Sequence, residues 1–295
     1  IGKDNCLYTG AELEKADIYK KPHAEFLKAA TRVLPVKTAN GVELLKYPTP
    51  KFGKAVVGSF EVAIPVVHGT NVEDGTLMGL LEMLNVPYAA CDVTASAVGM
   101  DKYVMKAVLR DAGVPVLPAK LYRAKLYALE PETVIADIEE RFGYPVIVKP
   151  VNLGSSIGIS KATDKKTLTA ALDTATGFAD RVLVERAVEH LREINCAVLG
   201  DADDAITSVC EEPIAAADIL DFDQKYIGGK SKGMATLKRR CPAELPDGMT
   251  EKVQALAVET FKALGCCGVS RVDFLNDTET GEVWVNEINT IPGSL

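Results

Sequence analysis

Four residues near the C-terminal end combine the types and spacing that charged chemistry needs: Arg271 and Asp273 in VSRVDF, and Glu287 and Asn289 in VWVNEINT. In a β-strand, residues two apart share a face, so each pair lies together on its own strand. A hairpin turn centred near Thr280 opposes residues whose numbers sum to an even value, which points all four the same way. Two carboxylates and an amide oxygen beside a guanidinium suit Mg²⁺ or Mn²⁺, with phosphate oxygens and water completing the shell. A buried salt bridge of Arg271 with Asp273 or Glu287 uses the same residues. The oxygens, however, exceed what one guanidinium requires.

A second group is basic. Lys149 ends the apolar run VIVK, where a lysine must snorkel or meet an anion. The loop after it, NLGSSIG, offers successive backbone N–H groups and the hydroxyls of Ser155 and Ser156, the features of a phosphate cradle, although a tight hairpin turn has the same composition. Lys102 lies on the polar face of its helix and, from its position alone, reads as a solvated lysine. GGKSKG is not a Walker A loop, because Gln224 stands where that loop needs glycine. His23, His68 and His190 have no metal-ligand spacing, and no GxSxG elbow occurs.

The elements that must position these residues follow from periodicity. FEVAIPVVHG reads as an apolar strand, and EDGTLMGLLEMLNVPY as a helix with Leu77, Leu80, Leu81 and Leu84 on one face, stopped by Asn85 and Pro87. DKYVMKAVLRDAG repeats the pattern, with Val104, Ala107, Val108 and Ala112 inward and Gly113 as the stop. This alternation predicts a parallel α/β unit in the first third. YPVIVKPVNLGSSIGISKA predicts a hairpin, TDKKTLTAALDTA a helix, and RVLVERAVE and REINCAVLGD strands. DFDQKYIGGKSKGMATLKRR has the polarity of a mobile surface loop, a lid. A helix in TEKVQALAVETFKALG, with Val253, Leu256, Ala257 and Leu264 inward, precedes the closing hairpin. The second and third sections are therefore α+β.

The 295 residues leave room for two or three domains. A formal net charge of -8 argues against a nucleic-acid surface. Seven cysteines without a CxxC pair read as reduced, buried thiols. With no apolar run of membrane-span length and no secretory leader, the expected compartment is the cytoplasm. The opening IGKDNCLYTG lacks a clear apolar first strand, which suggests further sequence upstream.

HGTNVEDGT, ASAVGMDK, PVIVKPVNLGSSIGIS, REINCAVLG, FDQKY, RVDF and VNEINTIPG occur in the order found in D-alanine:D-alanine ligases of the ATP-grasp superfamily, which this sequence resembles from about Phe60 to its C-terminus. That group includes D-alanine:D-serine and D-alanine:D-lactate ligases. The resemblance implies a three-domain ATP-grasp architecture: an N-terminal parallel α/β domain, incomplete here, over 1–100, a central domain over 101–185 and a C-terminal domain with the metal site over 186–295. It implies ATP between the last two domains, Mg²⁺ or Mn²⁺ at the phosphates, D-alanine as substrate, a product for peptidoglycan and a homodimer.

Residue by residue, the resemblance makes Lys102, Lys149, Ser156, Glu185, Arg186, Val188, Glu193 and Lys225 ATP-binding, with Glu185, Arg186 and Val188 at the adenine and Glu193 at the ribose. Asp273, Glu287 and Asn289 match metal ligands. Arg271 and the Gly293 N–H match the oxyanion site, Ser155 and Tyr226 the hydroxyls between first substrate and lid, and His68 and Glu73 the first-substrate side. Arg186 replaces a common lysine, and Val72 and Ala90 replace usual glycines. The family's N-terminal glycine-rich segment, with its substrate-binding glutamate, has no match in residues 1–59, and residues completing the second-substrate pocket would lie beyond Leu295. The implied reaction is D-alanyl-D-alanine formation. A ligase using D-serine or another acceptor, and an ATP-binding relative without ligase activity, are the alternatives; by the resemblance Tyr226 favours an amino-acid acceptor such as D-alanine over D-lactate.

Overall fold

The structure, a computed structural model, describes residues 1–2, 4–67, 69–154, 157–214 and 238–291. They form two compact units, Ile1–Ile64 with Gly79–Tyr88, and Pro65–Met78 with Ala89–Leu295.

In the first unit, β1 (Leu7–Thr9), α1 (His23–Ala29), β2 (Thr31–Thr38), β3 (Gly41–Lys46) and β4 (Val56–Phe60) follow one another along the chain. The strands make one sheet in the order β1-β2-β3-β4, with every pairing antiparallel. This corrects the parallel arrangement expected for this region, although the mixed α/β composition holds. Thr38 pairs with Gly41, so only two residues join β2 to β3, whereas a parallel pair needs a crossover of roughly a dozen. FEVAIPVVHG, expected as a strand, contributes only Phe60 to β4 and a single parallel bridge from Ala63 to Tyr88. Pro65 within that run has no N–H to give a ladder. Helix α2 (Thr76–Met83) forms as expected and stops at Asn85, whose φ of 51° is left-handed.

The second unit continues with α3 (Val93–Met100) and α4 (Lys102–Asp111). Asp101 caps α4 by accepting the Tyr103 and Val104 N–H groups, and Gly113, at φ 78°, ends its last turn. The fully buried face of α4 is Lys102, Met105, Lys106 and Leu109. Of the expected Val104, Ala107, Val108 and Ala112, Val108 packs half-buried against the core and Val104 is half-buried, whereas Ala107 and Ala112 are exposed. Two of the four buried positions are lysines, so the apolar pattern alone misplaced the centre of the stripe.

Next come β5 (Ala119–Arg123), α5 (Ala124–Leu129), α6 (Pro131–Phe142), β6 (Val146–Pro150), β7 (Ser160–Ala162), α7 (Lys165–Phe178) and β8 (Arg181–Arg186). Their sheet runs β5-β8-β6-β7, and β6 and β7 are the expected hairpin. α7 starts with a reciprocal capping box between Asp164 and Thr167. Val134 and Ile138 of α6 and Leu168 and Leu172 of α7 pack in one core with Val146 and Val184 of the strands.

The remaining elements are β9 (Leu191–Gly200), β10 (Ala205–Thr207), β11 (Glu212–Ile214), β12 (Lys238–Arg240), α8 (Met249–Ala263), β13 (Gly268–Asp277) and β14 (Val283–Asn289). A sheet in the order β10-β9-β13-β14 shares a core with Val253, Leu256, Ala257 and Leu264 of the expected helical stripe, through Ile194, Cys196, Val198, Val272 and Phe274. Alternation leaves the intervening positions of β9, β13 and β14 on the other face. Most of the expected lid, residues 221–237 of 221–240, lies outside the described residues. All seven cysteines are free thiols; Cys91, Cys196, Cys210 and Cys266 are buried, and Cys241 is exposed.

Candidate active site

The four residues of the closing hairpin do share a face. Arg271 stands opposite Asn289, and Asp273 opposite Glu287. Beyond Asp273 the register shifts, so that Phe274 pairs with Val285 and Asn286 is the extra residue of a β-bulge. At the turn end, opposed numbers sum to 559 (Asn276 with Val283); at the site end they sum to 560. The bulge makes that one-residue correction. Without it Asp273 would face Asn286, and Glu287 and Asn289 would turn into the core.

Across the other edge of β13, Asp273 pairs with Asn195 of β9. Arg271 donates from Nε and Nη2 to the two oxygens of Asp273 at 2.7 and 2.8 Å, and Asn289 Nδ2 donates to Asp273 Oδ2 at 3.1 Å. The salt bridge weighed from the sequence is therefore present. Burial pushes the Asp273 carboxyl above its ordinary value, Arg271 opposes that, and Glu287 reinforces it. Asp273 and the nearby Glu287 hold Arg271 above the usual guanidinium range. Among the described residues no cluster of three or more His, Cys, Asp or Glu could hold a metal. The oxygen set here is two carboxylates and the Asn289 amide. Its hard donors and the repulsion between Asp273 and Glu287 fit a divalent cation.

The cations lie beside this hairpin. Lys102, the first residue of α4, donates to the Leu153 carbonyl at 2.7 Å and reaches Glu287 Oε2 at 3.5 Å. It is buried, contrary to the solvated lysine that its position suggested. Asp101, which caps α4, is also paired with Arg181 of β8. Lys149 donates to Glu185 Oε1 at 2.5 Å and to Asn286 Oδ1 at 3.1 Å. Glu185 Oε2 faces Lys106 Nζ at 3.1 Å, an ion pair without hydrogen-bond alignment. Burial would raise the Glu185 carboxyl, but Lys106 and Lys149 outweigh it and hold it at about 2.

Glu193 shares the face of β9 that bears Asn195, opposite Leu275 of β13. Arg186 is exposed at the end of β8, within 4.0 Å of Glu189, and Val188 is half-buried in the β8–β9 connection. Glu73 is buried, and its Oε2 accepts the Gly69 N–H at 2.6 Å. His68, Ser155, Ser156, Lys225, Tyr226 and Gly293 lie outside the described residues.

Comparison with known proteins identifies the family of the chain. The family model described as the D-ala D-ala ligase C-terminus matches residues 108–294, and the D-ala D-ala ligase N-terminus matches residues 5–91. The chain belongs to the D-alanine–D-alanine ligase family. A relative named D-alanine–D-alanine ligase from Acetivibrio thermocellus is 45% identical over 233 residues, 79% of this chain and 60% of the relative. One from Ruminiclostridium cellulolyticum is 40% identical over 275 residues, 93% of this chain and 70% of the relative. The chain thus spans 60 to 62% of the length of the first curated relatives it matches. Among solved structures, the VanG D-Ala:D-Ser ligase from Enterococcus faecalis is similar with a TM-score of 0.76 at 30% identity, covering 99% of this chain and 79% of that one. The D-alanine-D-alanine ligase from Coxiella burnetii has a TM-score of 0.73 at 29% identity, covering 97% and 72%.

Membership in the D-alanine–D-alanine ligase family bears on two expected departures. The motif resemblance began at Phe60, whereas the N-terminal family model extends the match to residue 5. Val72 and Ala90, which the resemblance sets at usual glycine positions, do not have positive φ; in the loop around Val72 the positive φ values belong to Gly69, Asn71 and Gly75. Opposite Ala90, a Cβ added to Gly268 would make only ordinary contact, 3.4 Å from the Ala90 nitrogen; what calls for glycine at 268 is its φ of 76°.

Two polar residues that the structure brings to this site were not expected from the sequence: Lys106, which faces Glu185, and Asn286, which accepts from Lys149. Lys106 lies one helical turn after Lys102, a spacing visible in DKYVMK but masked by treating lysine as outward-facing. Asn286 lies in VWVNEINT, and its contact with Lys149 depends on the bulge.

Proposed function

We propose that this chain carries out ATP-dependent joining of two D-alanines to D-alanyl-D-alanine, with Mg²⁺ or Mn²⁺, for peptidoglycan precursor synthesis in the cytoplasm. The observation that carries this reading is the approach of Lys102 Nζ to Glu287 Oε2 at 3.5 Å, which sets a buried ammonium beside the hard-oxygen hairpin. The resemblance of the motifs and the family relatives named above support it. Asp273, Glu287 and Asn289 are the residues that would hold the divalent cation, which when bound supplies positive charge to the phosphate oxygens.

In the proposed reaction the first D-alanine carboxylate takes the γ-phosphoryl group of ATP, giving an acyl phosphate and ADP; the amine of the second attacks the acyl carbon and phosphate leaves. Lys102 and Lys149 stabilise the negative charge of the phosphoryl stage. Arg271 is assigned the oxyanion of the acyl stage, using guanidinium protons beyond the two engaged by Asp273. Glu185, Arg186, Val188 and Glu193 are assigned to the nucleoside, Ser156 and Lys225 to the phosphates. Ser155, Tyr226, His68 and Glu73 are assigned to the first-substrate side, with the Gly293 N–H at the oxyanion. The domain limits near residues 100 and 185 and the homodimer belong to the same proposal. Among the described residues, no helix is long and apolar enough to cross a membrane.

The likeness to a D-Ala:D-Ser ligase favours a second reading, with D-serine as acceptor. One experiment decides among the readings: phosphate release by the full polypeptide with ATP and Mg²⁺, with and without D-alanine, then with D-serine or D-lactate. Release that requires D-alanine, with the dipeptide identified by mass, is the expected result. ATP binding without D-alanine-dependent release in any mixture overturns the ligase reading in favour of a nucleotide-binding relative.

A further inference from the structure

Lys106 is fully buried on α4, between Met105 and the next inward residue, Leu109. Its ammonium has no aligned hydrogen-bond partner, and its nearest anion is Glu185 Oε2 at 3.1 Å. The other oxygen of that carboxylate is taken by Lys149. One buried carboxylate therefore serves two buried ammoniums, and the three side chains carry a formal charge of +1. An apolar residue at this position would fill the helix face without bringing a charge out of water.

We propose that Lys106 is a positioning residue of the nucleotide pocket, which by engaging Glu185 leaves Lys149 with net positive charge for a polyphosphate while itself not touching the ligand. If Lys106 were neutral, the Glu185–Lys149 pair would cancel and present no net charge. The inference rests on the ATP reading above. Its ligand class is a nucleoside triphosphate, and its effect grows with phosphate number.

The charged groups acting on Lys106 are Glu185 from β8, Lys149 from β6 and Arg110 from its own helix. Burial, the largest influence, brings the Lys106 ammonium down to about 8, so the cluster loses charge under mildly alkaline conditions.

The test is calorimetric binding of a non-hydrolysable ATP analogue with Mg²⁺, and of adenosine, to wild type, Lys106→Met and Lys106→Arg of the full polypeptide, with a ligand-free melt of each. Lys106→Met is expected to weaken the triphosphate analogue about tenfold, the effect of one unit charge at roughly 10 Å in an effective dielectric of about 20. Adenosine affinity should stay within about twofold, and the ligand-free melting temperature should not fall. Wild-type affinity for the analogue should drop between pH 7.5 and 9.5. Lys106→Arg, which does not titrate there, should keep the affinity and flatten that profile. If Lys106→Met does not fold, the wild-type and arginine profiles decide. Equal loss for adenosine and analogue, no loss for either, or matching pH profiles of wild type and Lys106→Arg overturn the role. Failure of the wild type to bind either ligand overturns the nucleotide reading itself.

Discussion

Asp273 faces Glu287 directly across the β13–β14 hairpin only because Asn286 is an extra residue in β14. The bulge also aims the Asn286 amide at Lys149 Nζ, 3.1 Å away, so one irregularity sets both the oxygen face and a lysine contact. Deleting Asn286 should abolish Mn²⁺ binding in the presence of nucleotide, because Glu287 and Asn289 rotate off the site face. Asn286→Ala keeps the bulge and should retain Mn²⁺ binding while weakening ATP about tenfold, the scale of a lost hydrogen bond to a charged group. Mn²⁺ titration by electron paramagnetic resonance distinguishes them; a deletion variant that binds Mn²⁺ normally refutes the register argument.

Glu185 should govern part of the acid stability. Its carboxyl lies at about 2 in the folded protein against an ordinary 4.5, so the stabilisation is full above about 4.5 and is lost as pH falls toward 2. The linkage amounts to about 3 kcal/mol. At neutral pH Glu185→Gln leaves Lys106 and Lys149 without their anion and should cost about 3–5 kcal/mol. Urea midpoints between pH 3 and 7 should show a shallower acid slope for the variant. Parallel curves would refute the assignment.

Asp101 joins the start of α4 to β8, capping Tyr103 and Val104 and pairing with Arg181. Asp101→Ala should lower stability by about 1–2 kcal/mol. It should also raise the KM for ATP, because Lys102 is the next residue. An unchanged KM with the expected stability loss would separate the cap from the site.

Arg271 binds both oxygens of Asp273 through a planar fork that lysine cannot reproduce. Under the proposed function Arg271→Lys should lower kcat at least about tenfold, since a misplaced cation stabilises the developing oxyanion poorly. Mn²⁺ affinity should change less than kcat. Full activity in the lysine variant would remove Arg271 from the oxyanion role.

Much of the second unit was legible in the residues. Strand alternation in RVDF and VWVNEIN identified the site face, and the apolar stripe of α8 identified its core side. Asn85 and Gly113 marked their helix ends because local backbone geometry demands residues that tolerate positive φ. Antiparallel pairing in the first unit was missed because apolar runs and helical stripes carry no strand direction; the two-residue link between Thr38 and Gly41 does.

The sequence by itself determined which side chains alternate along each strand, where helices stop and which ordered motifs mark the family, since all of these depend on neighbours along the chain. Tertiary structure alone decided the bulge at Asn286 and the inward turn of α4. A bulge is a mismatch between two strands, visible in neither alone. Lys102 and Lys106 point inward because Glu287 and Glu185, 185 and 79 residues further along, supply the anions that make burying them tolerable.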